Sequence, residues 1–194
     1  MPVTDGSRRR RWFAGIAALA IAATGHAPAL AQGDAQRARV EGAFLVNFIR
    51  FTEWPPASFA GDHDPYVVAV VGSEEIADAV REVAAAAGTV QGRRITVRQV
   101  DGEDLREQRG VLRDSHLVFV DRSGDVSASD AVELLDGAGV LTVGDSAGFV
   151  RAGGMLALVA SGSRVGFVAN PPAIRRGGLA VSAKVLKLAQ EFPP

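Results

Sequence analysis

The stretch Tyr66-Val67-Val68-Ala69-Val70-Val71-Gly72-Ser73 decides the fold class that this sequence predicts. Its first six residues are all apolar and four of them are valine, a composition typical of a strand buried on both faces of a sheet. Glycine and serine follow at once, and serine is a favoured N-cap residue of a helix. A buried strand that passes directly into a helix is the first half of a βαβ unit, so we expect a mainly parallel sheet.

The rest of the chain continues this alternation of helix and strand. We predict helices between Ser73 and Gly88, at 102–113 and at 131–135, and strands at 95–98, 116–120 and 140–143. Runs at 155–159 and 164–169 flank a short turn and predict an antiparallel hairpin. A short helix capped by Asn170 and a closing helix at 182–190 follow. The predicted fold is α/β: a three-layer, open, mainly parallel sheet with helices on both faces and a C-terminal antiparallel hairpin.

An amphipathic helix is predicted before the first long strand. It begins at Gly33-Asp34, and its apolar residues recur at helical spacing until Trp54-Pro55-Pro56 stops the pattern. This stretch is rich in aromatic residues, which pack cores but also anchor protein interfaces. The candidate partner-binding residues are therefore Phe44, Phe48, Phe51 and Trp54, together with Asn170, Arg175 and Arg176 near the C-terminus.

The first 31 residues have the layout of a secretory signal peptide. Arg8 to Arg11 form a basic cluster, an apolar run covers 12–23, and Ala29-Leu30-Ala31 matches the pattern that precedes a cleavage site. The alternative is a membrane anchor, but the apolar run is shorter than the roughly 20 residues of a spanning helix. Arg10-Arg11-Trp12-Phe13 also resembles a twin-arginine export signal. We expect cleavage after Ala31, which leaves one exported domain at 32–194.

The composition narrows the possible functions. The 194 residues carry 21 Lys and Arg against 22 Asp and Glu, so nothing suggests a nucleic-acid partner. The chain has no cysteine, which excludes disulfides, thiolate catalysis and cysteine-ligated metals. An apolar fraction of 47% is enough for an ordinary hydrophobic core.

Gly144-Asp145-Ser146-Ala147-Gly148 matches the G-x-S-x-G motif of serine hydrolases and follows a predicted strand. The motif needs a helix after the serine and a histidine later in the chain. The following residues are rich in glycine, so we predict a turn with glycines at positive φ instead of a helix. All three histidines precede Ser146, and His116 is expected to be packed at the start of a strand. A serine esterase that uses Ser146 is a remote alternative, and no catalytic residue is assigned.

No cofactor or metal site is predicted. Asp62-His63-Asp64 offers oxygen and nitrogen donors, but it lies in a loop and no matching cluster accompanies it. Gly72-Ser73 directly precedes a predicted helix, and the N-terminus of a helix can bind an anion. The chain has neither G-x-G-x-x-G nor G-x-x-x-x-G-K-[ST], so nucleotide binding has no support.

Four segments, taken in order, resemble one known family. They are the helix at 40–55 that runs into Trp54-Pro55, the Gly-Phe and Gly-Gly-Met turn at 148–155 after a Leu-Thr-Val strand, the strand end at 167–170, and the closing segment at 178–189. Over residues 39–190 the chain resembles the YfiR family of periplasmic proteins. That family often has a cysteine just before the histidine of the third strand. This chain has Ser115 there, so disulfide-based redox control is impossible in it.

The resemblance implies a regulator located in the periplasm. It implies binding to the periplasmic domain of an inner-membrane diguanylate cyclase, whose repression lowers cyclic-di-GMP output. It also implies an outer-membrane, peptidoglycan-associated lipoprotein that sequesters the repressor, and a homodimer. The alternative is a periplasmic small-ligand sensor that acts with a sensor kinase, because a parallel sheet offers a crevice at the carboxyl ends of its strands.

Overall fold

A computed structural model of the chain describes residues 27–190, apart from 104, 123–125 and 162–163. The predicted signal peptide therefore lies mostly outside the described residues. The helices are α1 Ala27–Arg50, α2 Glu74–Ala87, α3 Arg109–Arg113, α4 Ala128–Leu135, α5 Ala147–Arg151, α6 Pro171–Arg176 and α7 Ala183–Leu186, with a 3-10 turn at Pro56–Ser58. The strands are β1 Thr52–Glu53, β2 Tyr66–Val71, β3 Ile95–Val100, β4 Leu117–Val120, β5 Leu141–Gly144, β6 Leu156–Ser161, β7 Arg164–Ala169 and β8 Ala180–Val181.

Six of these strands form one sheet in the order β3-β2-β4-β5-β6-β7. The first five are parallel, and β7 pairs antiparallel with β6, in the register that joins Leu156 to Ala169. β2 lies inside the sheet, and its residues from Val68 to Val71 are fully buried. Strands covered on both faces consist of continuous apolar runs, which explains why β2 has no polar alternation. The predicted parallel sheet with a C-terminal hairpin is confirmed.

Helices cover both faces of the sheet, as predicted. One hydrophobic cluster joins α1, α2, α6 and α7 to the sheet, and the other joins α3, α4 and α5 to its opposite face. α1 and α2 pack so closely that a Cβ on Gly42 would lie 3.1 Å from the backbone carbon of Ala79. Glycine at this contact lets the two helices approach closely, because a Cβ here would press on the backbone of α2 and move it by a few tenths of an ångström.

The two ends of the fold depart from the prediction. α1 begins at Ala27, before the predicted start at Gly33, and ends at Arg50. β1 then pairs with β8 in a two-stranded antiparallel sheet, with Thr52 opposite Val181. Strands of two residues carry no periodicity, so the sequence could not predict this pairing.

Two predicted helices are shorter than expected. The helix predicted at 102–113 is reduced to α3, Arg109–Arg113, and turns precede it. The closing helix predicted at 182–190 is reduced to α7, Ala183–Leu186. The chain after α7 instead turns toward the edge of β7, where the backbone N–H of Gln190 donates to the carbonyl of Phe167 at 2.8 Å.

The prediction of a turn without a helix after Ser146 is wrong, because α5 begins at Ala147. The predicted positive φ is also wrong for Gly144 and Gly148. Gly144 is needed for space, since an added Cβ would lie 2.5 Å from the Cβ of Phe149 and closer still to its ring. The Phe149 side chain fits between Gly144 and Gly154, and this packing allows a one-turn helix to follow the strand.

Candidate functional site

Polar residues collect where the parallel strands end. β2 and β4 are neighbours, but β2 leads to α2 on one face and β4 leads to α4 on the other. In open α/β sheets, such a reversal opens a crevice at the carboxyl ends of the two strands, and ligands bind there. Ser73 follows β2 at this point, and Asp121 and Arg122 follow β4.

A buried group of charges forms at the same edge. Asp145 directly follows β5, and its Oδ2 lies 3.0 Å from Nε of Arg122 and 3.8 Å from a terminal nitrogen of Arg37. Arg37 lies on α1, and its Nε donates to Oε1 of Glu41 at 2.6 Å. Glu41, Asp121 and Asp145 are buried. The side chains of Arg37 and Arg122 are 45% and 60% exposed, so the arginines form the rim and the acids form the floor.

Burial raises the pKa of Asp145 to about 6. The Arg122 guanidinium lowers the pKa of this carboxyl, whereas Asp121 raises it through its charge and through a hydrogen bond between the two side chains. Two carboxyls can share a hydrogen bond only when one of them carries a proton. The hydrogen bond with Glu41 raises the pKa of Arg37, so the Arg37 side chain stays cationic.

Two adjoining cavities open beside this group. The first has a volume of about 220 Å³ and lies at the switch point, between Ser73 and Asp121. The second has a volume of about 610 Å³ and runs between α1 and the β6–β7 hairpin, with apolar residues such as Leu158 in its wall. Volumes of a few hundred Å³ suit small molecules. The residues that line both cavities are Arg37, Glu41 and Arg122.

Ser146 has no histidine beside it among the described residues. His116 directly precedes β4, in which Leu117 pairs with Leu141, so His116 lies at the amino edge of the sheet. Ser146 lies five residues beyond Leu141 toward the carboxyl edge, roughly 17 Å along the strand direction. His63 lies in the loop before β2, at the same edge as His116. Although a helix follows Ser146, the geometry does not support an esterase.

His116 instead holds the Trp-Pro segment against the amino edge of the sheet. Its Nδ1 accepts from the backbone N–H of Val67 at 3.0 Å, and its Nε2 lies 3.2 Å from the carbonyl oxygen of Ser58, as expected for a neutral ring. Burial lowers the pKa of His116, while Arg93 lowers it further and the Ser58 carbonyl raises it. The indole N–H of Trp54 donates to the His116 carbonyl at 3.2 Å. The expectation of a packed histidine is confirmed.

The predicted partner-binding residues differ in accessibility. Phe48 and Trp54 are buried in the core and Phe44 is partly buried, whereas Phe51 is 40% exposed. Asn170 caps α6 by accepting from the backbone N–H of Ala173 at 3.1 Å. Arg175 and Arg176, at the end of α6, are exposed. β1 follows Phe51 and pairs with β8, which follows α6, so the small sheet brings the two predicted segments to one end of the molecule.

Asp62-His63-Asp64 lies in a loop that protein contacts hold in place. The Asp64 carboxylate accepts from the backbone N–H of Gly61, and the Arg93 guanidinium donates to the carbonyls of Gly61 and Asp64 at 2.8 Å. No group of three or more His, Cys, Asp or Glu side chains within the described part of the chain is arranged to hold a metal ion.

Sequence reasoning missed the charged group formed by Arg37, Glu41, Asp121, Arg122 and Asp145. Two local signals were present. Asp121 directly follows the fully apolar strand β4 and Asp145 directly follows β5, and charged residues at strand ends gather at one edge of a parallel sheet. Arg37 and Glu41 have the i, i+4 spacing of a helical ion pair. The sequence does not show that the Arg37–Glu41 pair lies beside the two acids at the sheet edge, because this depends on the path of α1 across the sheet.

Comparisons with known proteins agree with this architecture. Residues 38–190 match the family model described as YfiR/HmsC-like, DUF4154. A conserved domain protein from Vibrio cholerae O1 biovar El Tor strain N16961 is similar in structure, with 12% sequence identity and a TM-score of 0.53 over 78% of this chain and 58% of that chain. The ABC domain in complex with L-Trp from Streptococcus pneumonia is similar over 74% of this chain and 57% of that chain, with 14% identity and a TM-score of 0.51.

The two structural similarities support the fold alone. The chain spans less than two thirds of either structure's length. No match was found among curated proteins. Within the residues that the structure describes, no helix has both the length and the apolar character needed to cross a membrane.

Proposed function

The chain belongs to the YfiR/HmsC-like family, and we propose that it binds the periplasmic domain of an inner-membrane diguanylate cyclase and represses it. The family is a group of periplasmic regulators, and the match over residues 38–190 is the observation that carries the proposal. The proposed details are the partner, the repression of cyclic-di-GMP synthesis, the sequestering outer-membrane lipoprotein and the homodimer.

Repression is proposed to work by population shift. A cyclase that exchanges between inactive and active conformations is held inactive by any protein that binds the inactive conformation more tightly. The repressor needs no catalytic group for this role, and the lack of a histidine beside Ser146 among the described residues is compatible with it. Release by a sequestering lipoprotein would remove the repressor from the cyclase by mass action.

We place the proposed contact surface around Phe51, Arg175 and Arg176, because these predicted residues are accessible. An exposed aromatic side chain at the same end of the molecule as exposed arginines is a favourable composition for an interface anchor. Phe48 and Trp54 are buried, so replacing them tests the stability of the domain and not its contact with a partner.

The function is tested by measuring intracellular cyclic-di-GMP in a strain without this gene. We expect the level to rise on deletion and to return only when the exported full-length chain is restored. A chain that lacks residues 1–31 is the matched control, since it should stay in the cytoplasm. An unchanged level after deletion would refute repression of a cyclase.

The contact surface is tested with two arginine substitutions of the same kind. Arg176→Ala should release the cyclase, whereas Arg98→Ala, an exposed arginine on β3 at the opposite side of the sheet, should not. Equal effects of the two substitutions would refute the proposed location of the surface.

A periplasmic small-ligand sensor is the second candidate, and the cavity at the switch point favours it. A ligand that binds the native state raises the melting temperature of the chain. A thermal-shift screen of amino acids, amines and nucleotides tests this candidate independently of any cyclase.

A further inference from the structure

We infer that the free edge of β3 binds an extended segment of another protein, in which apolar and acidic side chains alternate. The segment would add a strand to the edge of the six-stranded sheet, a known mode of peptide recognition. The site uses residues 94–99 and none of the residues of the proposed cyclase contact. The inference therefore goes beyond the proposed function and does not depend on it.

β3 is an edge strand with unused backbone hydrogen-bonding groups. It pairs in parallel with β2, where the backbone N–H of Tyr66 donates to the carbonyl of Arg94 at 2.8 Å. Alternate residues of a strand bond to the same neighbour, so the even-numbered residues of β3 face β2. The N–H and C=O groups of Ile95, Val97 and Gln99 therefore point away from the sheet. Within the described part of the chain, nothing bonds to these groups.

The opposite edge of the sheet is covered by the chain itself. The backbone N–H of Gln190 donates to the carbonyl of Phe167 on β7 at 2.8 Å, and the Gln190 side chain packs against Gly166. β3 has six residues, as β7 has, but no segment of the described chain lies along it. An uncovered edge strand is a template for pairing with another chain.

One face of β3 offers an apolar groove beside the free backbone groups. The side chains of Ile95 and Val97 pack toward the hydrophobic cluster that contains α2, and both are only partly buried. With Ala84 and Ala85 of α2 they line a groove of about 420 Å³. Every second side chain of an added strand would lie on this face. Those side chains should therefore be apolar.

The charge of this edge favours an acidic segment. Arg98 is exposed and lies on the face of β3 opposite to Val97, and Arg94 lines the end of the groove. Among the described residues, neither arginine has an ion-pair partner. The chain has no acidic residue between positions 83 and 100. Opposite charges on neighbouring strands stabilise their pairing, so the remaining side chains of the segment should be acidic.

The same charge disfavours a second copy of this chain as the occupant. Two β3 strands paired antiparallel would place Arg98 of both copies on the same face of the joint sheet. Like charges on neighbouring strands destabilise pairing, and charged residues on edge strands commonly prevent association of identical chains. An acidic strand replaces this repulsion with attraction.

The inference is tested by titrating the full chain, purified from the periplasm, into fluorescein-labelled peptides and measuring fluorescence anisotropy. The first peptide alternates Glu and Val, the second alternates Lys and Val, and the third has the composition of the first with Glu and Val in separate blocks. We expect saturable binding of the first peptide and binding of the other two that is weaker by about tenfold or more. Lysine would be repelled by the arginines, and the blocks cannot place valine and glutamate on opposite faces.

Amide hydrogen exchange, measured by NMR, distinguishes strand addition from attraction between charges alone. In the free chain, the N–H groups of Thr96 and Arg98 bond to β2 and should exchange slowly, whereas those of Val97 and Gln99 should exchange fast. Binding of the first peptide should slow exchange at Val97 and Gln99 by about tenfold or more. Thr96 and Arg98 serve as the internal reference.

Two pairs of variants test the backbone and the charge separately. Val97→Pro removes one outward N–H and keeps the bonds to β2, whereas Val97→Ala keeps that N–H and shortens the side chain. We expect Val97→Pro to bind the first peptide about tenfold more weakly than Val97→Ala. Arg98→Glu should also weaken binding, and the matched control is Arg164→Glu, a reversal at an exposed arginine on β7. Circular dichroism shows whether each variant is folded, and the exchange experiment uses the unaltered chain.

Several results would overturn the inference. No binding of the first peptide would do so, as would equal binding of the lysine peptide. Binding without slower exchange at Val97 and Gln99 would show that the peptide is held by charge and adds no strand. Slow exchange at these two groups without peptide, increasing with the concentration of the chain, would show that a second copy occupies the edge.

Discussion

Replacing Gly144 by alanine tests the packing that places the loop after β5. The new Cβ would lie 2.5 Å from the Cβ of Phe149 and 2.8 Å from one ring carbon. Rotation of the Phe149 side chain cannot relieve the contact with its own Cβ, so the backbone of β5 or α5 must move. Overpacking of this kind costs about 1–3 kcal/mol. A domain of this size loses about 2–4 °C of melting temperature for each kcal/mol.

Gly148 provides the matched control within the same motif. An alanine Cβ at Gly148 would meet only the Ser146 hydroxyl, at 3.6 Å, an ordinary contact distance. Gly148 lies inside α5, and glycine in a helix is less stable than alanine by about 0.5–1 kcal/mol. We therefore expect Gly148→Ala to be neutral or stabilising in urea unfolding followed by far-ultraviolet circular dichroism. Equal stability of the two variants would refute the packing of Phe149 against Gly144.

Three further predictions concern buried groups. The folded-state pKa of Asp145 is raised to about 6, so the free energy of unfolding should fall as pH rises toward and through 6. Asp145→Asn should abolish this pH dependence when unfolding by urea is measured across the same pH range. The pKa of His116 is lowered in the folded state, so the free energy of unfolding should fall as pH drops below about 6.5, the pKa of histidine in the unfolded chain. A His116→Gln variant that keeps this acid dependence would show that another group causes it. Phe48→Ala should cost about 3–5 kcal/mol, whereas Phe51→Ala should cost less than about 1 kcal/mol by the same measurement; equal costs would contradict the different burial of the two rings.

The order of the central elements could be predicted from local sequence. The apolar runs of β2 and β4 are too short for buried helices and too continuous for half-exposed strands. Ser73 and Asn170 were predicted as helix caps, and both side chains accept the capping hydrogen bond. These features depend on residues within a few positions of one another, so the sequence carries them directly.

The shorter elements and the course of the termini could not be predicted in this way. β1 and β8 have two residues each and are stabilised by pairing across the fold. α5 exists because Phe149 fits between two glycines, not because its own sequence favours a helix. Tertiary packing outweighs local propensity in such short segments.

The sequence by itself determined a mainly parallel α/β sheet and the residues that fill its core, because burial imposes a periodicity that can be read along the chain. Only the tertiary structure decided that Glu41 is buried with one oxygen unpaired, and that Arg37 faces Asp145, more than a hundred positions away. The physical reason is that the strand order and the path of α1 set which charged groups meet, and solvent exclusion at that meeting point sets their pKa. Neither the meeting of these charged groups nor their pKa is a property of any local segment.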